Sequence, residues 1–413
     1  MTGGRSLSHR RPEPERNHGA DAMLILPDSP ENELLLSCAR IGNGRDVKEE
    51  VERLVKSNLN WDYVVEKAHS HHLASFLYYD LSKLSEHAVP EDVLSKLKRR
   101  CAVTAARNLR FQHELVKILD ALERRGISMV LLKGAALVQI VYRDLTLRPM
   151  ADIDVLVRER DFRGIQTALH EIGYYSPSPL PNLTDKGLVE YAHCFDQVRF
   201  CRKDGVAIET HFRLLNMGSP TGEQPSVWER ALPVRIDGVK GLIPCPEDML
   251  LHLCFHANHH RFSKIYLFRD IAEVLSHYSD RFDWEYLLRV VDLRRMKASI
   301  YYTLLFADEV SRYRVPSDVL ERLRPGYLRR KVFECIWKGL FIKCMNRLEL
   351  HNLQGPIYYV LEMDGLREKL AFLAKSLFPP VQWLSVRFCV PESKTLYLRY
   401  LLTVLKRCLR PAT

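Results

Sequence analysis

Asp152-Ile153-Asp154 places two carboxylates either side of one apolar residue, at the start of the run Ile153-Asp-Val-Leu-Val157. In a strand, side chains two residues apart share a face, with Cα atoms about 6.5–7 Å from each other. Carboxylates so placed can converge on divalent cations roughly 3.5–4 Å apart, the arrangement that serves in-line phosphoryl displacement. Their hard oxygens suit Mg²⁺, which keeps water and substrate phosphates as its other ligands. The same tripeptide also describes two solvated acids flanking a buried Ile, and so short a pattern is common. Two further features weigh for chemistry. Lys133-Gly134-Ala135-Ala136 closes an upstream apolar run directly before helical spacing. A Gly there lets backbone approach a phosphate, and a helix N-terminus offers free N–H groups to it. Glu209, within the alternating segment Val206-Ala-Ile-Glu-Thr-His211, supplies a third acid.

These residues need strands and a strand–helix turn to hold them. From Gly126 the pattern provides both. Ile127 to Leu132 reads as a buried strand, Ala135 to Tyr142 as a helix, Ile153 to Val157 as a second strand, and Asp161 to Ile172 as a helix. A polar loop is expected over Ser176 to Asn182. Phe195 to Phe200 and Val206 to His211 alternate around Asp204-Gly205, a hairpin signal, and a second hairpin is expected at Asp237-Gly238. Before this unit the spacing is helical, with a start signal at Pro90-Glu91-Asp92 and a long stretch through Leu122 expected to be broken. After it, Pro246-Glu247-Asp248 opens another helical region that runs to the end. The organisation expected is therefore a disordered tail over 1–30, helices over 31–125, an α/β core over 126–245 and helices over 246–413. No fixed-period repeat is present.

Strand, Gly turn, helix, a strand carrying the paired Asp and a later strand carrying an acid: in this order the chain resembles the polymerase-β nucleotidyltransferase superfamily. Its wording is similar to one uncharacterised bacterial nucleotidyltransferase family. That similarity is carried by Leu131-Leu-Lys-Gly-Ala-Ala-Leu137, Tyr142 and Leu147-Arg-Pro-Met-Ala-Asp-Ile-Asp-Val-Leu-Val157. Glu209-Thr-His211, Leu251-His-Leu-Cys-Phe-His256 and Arg269-Asp-Ile-Ala272 add less specific support. The resemblance implies an α+β fold, a small mixed sheet with helices, flanked by helical regions. It implies two Mg²⁺ ions on Asp152, Asp154 and Glu209, and a nucleoside triphosphate near Lys133, Gly134, Ala135 and Arg148. The reaction implied moves a nucleoside monophosphate to an acceptor hydroxyl, and the acceptor class (small molecule, saccharide, protein or RNA) stays open. Two departures matter. The superfamily turn is Gly-Ser or Gly-Gly, whereas Gly134-Ala135 lacks the phosphate-binding hydroxyl, for which the Lys133 ammonium is a substitute. The third acid is Glu, longer than Asp by one methylene. A non-catalytic nucleotide-binding or scaffold protein on the same fold is the alternative.

Arg148 has two readings, a triphosphate contact or a brace for its loop. His211 shares a strand face with Glu209, and both a group standing behind the metal ligands and a hydrogen-bonded core histidine fit. His256 can also stand behind the site; with His252 it has the i, i+4 spacing of a zinc pair, but no acid follows and no outside ligand can be named. Asp270 is read as pairing with Arg269. The segment Lys394 to Arg410 carries five basic residues and no acid among its leucines. It suits a cap on the helical core or a weak peripheral contact with an anionic membrane. A net charge of +10 favours polyanionic partners. The ten cysteines form no CxxC pair and are expected to be reduced. Residues 1–22 lack an apolar stretch, and no run of 18 apolar residues occurs, so neither a signal peptide nor a spanning helix is expected and the location expected is cytoplasmic.

Overall fold

The computed structural model describes residues 29–40, 45–85, 87–176, 197–215, 227–260, 262–310, 315–332, 360, 363–379, 381–388, 393 and 395–408. The expectations for the tail before residue 29, for the loop at 177–182 and for Lys394 and Arg410 lie outside them.

Among the described residues, the first helices are α1 (Pro30–Ala39), α2 (Arg45–Val55), α3 (Trp61–Ser70) and α4 (Ala74–Leu81). Side-chain caps start two of them, Ser29 accepting from Asn32 N–H at 3.2 Å and Asn60 from Tyr63 N–H at 3.0 Å. The stretch expected to be broken is instead one 33-residue helix, α5 (Glu91–Glu123). No Gly or Pro occurs within it, so nothing interrupts its hydrogen-bond ladder. At 1.5 Å per residue it is about 50 Å long. It packs on α3 and α4, and also on the sheet through strand β7 (Val239–Ile243) and helix α7 (Phe162–Glu171).

Among the described residues, seven strands form one mixed sheet in the order β3-β4-β5-β2-β1-β7-β6. The remaining strands are β1 (Val130–Leu131), β2 (Ile153–Leu156), β3 (Tyr174–Tyr175), β4 (Gln197–Arg202), β5 (Ala207–His211) and β6 (Leu232–Ile236). Both expected hairpins form, turning at Gly205 (φ +87°) and Gly238 (φ +89°). Strand β2 is central: antiparallel to β1 and parallel to β5, with Ile153 opposite Ile208 and Asp154 opposite Glu209. Ile153, Val155, Val198, Phe200 and Ile208 are buried, which anchors the strands on one side. The side chains that alternate with them stand on the other face.

Helix α6 (Lys133–Leu137) follows β1 and widens into a π-helical turn over Val138–Tyr142. After the sheet come α9 (Pro246–His259), α10 (Tyr266–Tyr278), α11 (Trp284–Arg294), α12 (Lys297–Val310) and α13 (Ser317–Leu323), with α8 (Val227–Arg230) preceding β6. The two helical regions that flank the sheet in sequence meet in space. Helix α1 packs on α10 and α12, and Arg269 donates to the Cys38 and Arg40 carbonyls. One continuous apolar core runs from Leu34 to Leu323. Cys38, Cys101, Cys201, Cys245 and Cys254 are free thiols.

Candidate metal centre

The parallel register of β2 and β5 sets Asp154 and Glu209 side by side, with His211 two residues further along the same face as Glu209. The described residues contain one group of histidines, cysteines and carboxylates close enough to hold a cation: Asp154, Glu209 and His211. Each offers a ligand atom, and these atoms lie within 4.8 Å of one another. At bond lengths of about 2.1–2.4 Å, two ligands on opposite sides of one ion stand roughly 4.2–4.8 Å apart, so the donors fit a single divalent cation. Asp152 precedes β2 and faces the same cluster, where Arg199 Nη1 lies 3.6 Å from Asp152 Oδ2 and 2.9 Å from Glu209 Oε1.

Protein cations already partner these acids. Lys133 Nζ donates to Asp154 Oδ1 at 2.8 Å, and His211 Nε2 lies 2.9 Å from that same oxygen. Gln197 Nε2 donates to Glu209 Oε2 at 3.0 Å. The environments drive the two aspartates apart. Burial, reinforced by the charges of Asp154 and Glu209, pushes Asp152 up to about 6. Burial opposes ionisation of Asp154 as well, but the Lys133 ammonium and the His211 hydrogen bond outweigh it and hold this carboxyl well below its ordinary range. Such a split between neighbouring carboxyls is characteristic of sites that handle charge.

Lys133 reaches Asp154 from a strained position, a non-glycine residue at φ +43° directly before Gly134. The space a side chain would take at Gly134 is already filled. A Cβ there would meet Arg148 Nη1 at 2.6 Å and Met150 Cγ at 2.8 Å, so this Gly is needed for the close packing of the Arg148-Pro149-Met150 segment. Gly134 and Ala135 are both buried.

Arg148 is buried and fully engaged within the protein. Its Nη2 donates to Asp270 Oδ2 at 2.9 Å, its Nε to the same oxygen at 3.2 Å, and its Nη1 to the Pro149 carbonyl at 2.9 Å. The guanidinium also lies over the Tyr266 ring. Asp270 takes a further hydrogen bond from Tyr142 at 2.7 Å. The expected Arg269–Asp270 pair is therefore corrected: side chains of neighbouring helical residues diverge, and Arg269 pairs one turn on with Glu273 at 2.9 Å.

Helix α9 brings His252 and His256 toward the acidic face. His252 shares its Nδ1 with the Leu214 carbonyl at 2.7 Å and stands edge-on to His211, ring centroids 6.2 Å apart. Burial, helped by the Lys133 and His211 charges, pushes His252 down to about 3, so its ring is neutral. His256 is also held well below its ordinary value by burial, then by Lys133, and packs edge-on to His260 at 4.4 Å. No cation-holding group among the described residues includes the His252–His256 pair. A cleft of about 480 Å³ is lined by Arg107, Arg110, Phe111, Gly205, Val206 and Ala151, the residue before Asp152.

Arg199 and Gln197 were not singled out from the sequence, yet a signal existed. Counting equally outward from Asp204 in the hairpin puts Arg199 opposite Glu209 and Gln197 opposite His211. His252 carries no comparable signal, because the packing of α9 places it.

A mixed sheet with helices on it, and an acidic, cation-competent cluster on its central strands, define an α+β protein with a nucleotidyltransferase domain. A family model described as an uncharacterised nucleotidyltransferase matches residues 57–312, and the chain belongs to that family. A search of curated proteins finds no match.

Proposed function

We propose that the chain is a metal-dependent nucleotidyltransferase with a polymerase-β-type core over residues 126–245, between helical regions at 31–125 and 246–413. It joins the α-phosphorus of a nucleoside triphosphate to an acceptor hydroxyl oxygen as the bond to pyrophosphate breaks. The observation that carries this reading is the convergence of Asp154 and Glu209 from parallel strands, with Asp152 beside them, inside a nucleotidyltransferase family match. Asp152, Asp154 and Glu209 are the residues that would hold two Mg²⁺ ions, which supply Lewis-acid polarisation and charge neutralisation at the phosphates. Lys133 is a compact ammonium next to these acids, suited to a phosphate oxygen once a bound cation takes over its role at Asp154. Arg107 gives the neighbouring cleft a basic group for a polyanion, beside Arg110, which pairs with Asp204. Arg148 acts by holding the segment that leads into Asp152. His211 stands against Asp154 Oδ1 and orients that carboxylate, with the half-buried His256 behind it on α9.

Purified protein incubated with labelled triphosphates, Mg²⁺ and candidate acceptors is expected to transfer label. Asp152→Asn with Asp154→Asn abolishes it, and labelling that survives the double variant sinks the assignment. One observation favours a second reading, a nucleotide-binding scaffold: the Lys133 ammonium and the Arg199 guanidinium already pair with Asp154 and Glu209. Calorimetry separates the two, since triphosphate binding that is indifferent to Mg²⁺ and never followed by turnover supports the scaffold.

We also propose a weak peripheral contact with anionic membranes through the last helices. Leu366, Leu370, Leu373 and Leu377 line one exposed side of the helix Leu366–Leu377 beside Arg367 and Lys369. Leu398 and Leu402 are exposed on Thr395–Cys408. No helix among the described residues is long and apolar enough to cross a membrane.

A further inference from the structure

The two cation positions expected from the proposed function are not chemically alike. On the Asp152 side the donors are oxygens only. On the β5 side a ring nitrogen joins them, because His211 completes the group with Asp154 and Glu209. The spacing suits coordination: His211 Nε2 is 2.9 Å from Asp154 Oδ1. Neighbouring ligands at about 2.1 Å and right angles around one ion stand roughly 3.0 Å apart. All three residues sit on adjacent parallel strands in fixed register, so no loop rearrangement is needed to aim them.

Imidazole nitrogen is a poor ligand for Mg²⁺ and a good one for first-row transition ions. A ligating histidine also needs a partner that holds its ring. His252 stands edge-on to His211, and with Nδ1 committed to the Leu214 carbonyl its buried Nε2 has no hydrogen-bond partner among the described residues. A Nδ1–H donating to that carbonyl leaves Nε2 with a lone pair, an acceptor beside the His211 ring.

We infer that His211 is a direct metal ligand, and that the Asp154–Glu209–His211 position selects a Mn²⁺-class divalent cation over Mg²⁺. The inference rests on the metal-dependent reading above and deepens it. On binding, the His211 Nε2 lone pair goes to the cation, so any proton on that nitrogen moves to Nδ1 or to solvent. Lys133 gives up its contact with Asp154. The Asp152 side keeps its oxygen-only character and its preference for Mg²⁺.

Mn²⁺ itself is the probe. Full-length protein is titrated with Mn²⁺ and with Mg²⁺ by calorimetry, without nucleotide, and the Mn²⁺ complex is examined by pulsed electron paramagnetic resonance for histidine ¹⁴N coupling. The expected results are one site at least tenfold tighter for Mn²⁺ than for Mg²⁺, and clear ¹⁴N coupling. In His211→Gln the coupling disappears and Mn²⁺ affinity falls by tenfold or more, while Mg²⁺ affinity changes less. In Glu209→Gln affinity falls and the coupling remains. The wild-type spectrum decides the matter even if His211→Gln does not fold. Bound Mn²⁺ without ¹⁴N coupling, coupling that persists in folded His211→Gln, or no Mn²⁺ binding each overturns the inference. Histidine-coupled Mn²⁺ in a protein that transfers no nucleotide would leave this inference standing and remove the proposed function. Transfer supported by Mg²⁺ without nitrogen coupling would do the reverse.

Discussion

Replacing Arg148 by Met tests whether this residue holds the fold or the substrate. The Arg148 and Asp270 side chains are only 7% and 2% exposed, so the ion pair between them is almost dry. Removing the guanidinium leaves Asp270 with the Tyr142 hydroxyl as its remaining hydrogen-bond donor of this cluster and no counter-charge. Stranding one charge of a buried pair costs about 3–5 kcal/mol. A loss of that size is a large part of the roughly 5–15 kcal/mol by which folded domains are stable. Urea unfolding is therefore expected to show Arg148→Met and Asp270→Leu each destabilised by about 3–5 kcal/mol. The double variant removes both charges together and leaves Tyr142 without an acceptor, a smaller penalty of about 1–3 kcal/mol. It is expected to be more stable than either single variant. Calorimetry at a temperature where the variants stay folded is expected to show triphosphate affinity changed by less than about threefold, under 0.7 kcal/mol, since no Arg148 donor faces the cleft. An Arg148→Met protein of normal stability that loses triphosphate affinity would refute the brace and restore the phosphate contact.

Three further outcomes follow from the same geometry. Asp152 binds its proton up to about pH 6, above the ordinary carboxylate range, so between the two values the native state holds a proton that the unfolded state lacks. That contribution is full below the unfolded value and is lost as pH rises through about 6, whereas the depressed Asp154 contributes stability above its unfolded value that is lost only in acid. Asp152→Asn should flatten metal-free stability between about pH 4 and about pH 6, and near pH ~5.5 divalent cations should release more protons from wild type than from the variant; an unchanged slope refutes this assignment. Gly134→Ala forces a methyl into Arg148 and Met150 and is expected to cost about 1–3 kcal/mol, measured by thermal unfolding; a neutral substitution would show that the segment yields freely. Vesicles containing anionic lipid should co-sediment wild-type protein in low salt and lose it in high salt or in Leu370→Glu/Leu373→Glu; equal sedimentation with neutral vesicles or with the variant argues against the contact.

Much of this protein can be read along the chain, because local signals are enough for it. Period-two alternation around Asp204-Gly205 and Asp237-Gly238 marks both hairpins, and the apolar run after Asp152 marks the central strand, since turn chemistry and pleat need only neighbours in sequence. The acids at 152, 154 and 209 stand out for the same reason. What the tertiary structure decided is which groups face them. Register across β4 and β5 delivered Arg199 to Glu209, and strained backbone at Lys133 delivered an ammonium to Asp154. The packing of α9 set His252 behind His211, and α10 claimed Arg148 for Asp270. The Arg199 pairing follows from counting outward along its hairpin, but the other partners are dozens of residues away or on another element, and no local period encodes such a meeting. The carboxylates are thus a property of the sequence, while their charge state, their counter-ions and the nitrogen beside them are properties of the fold.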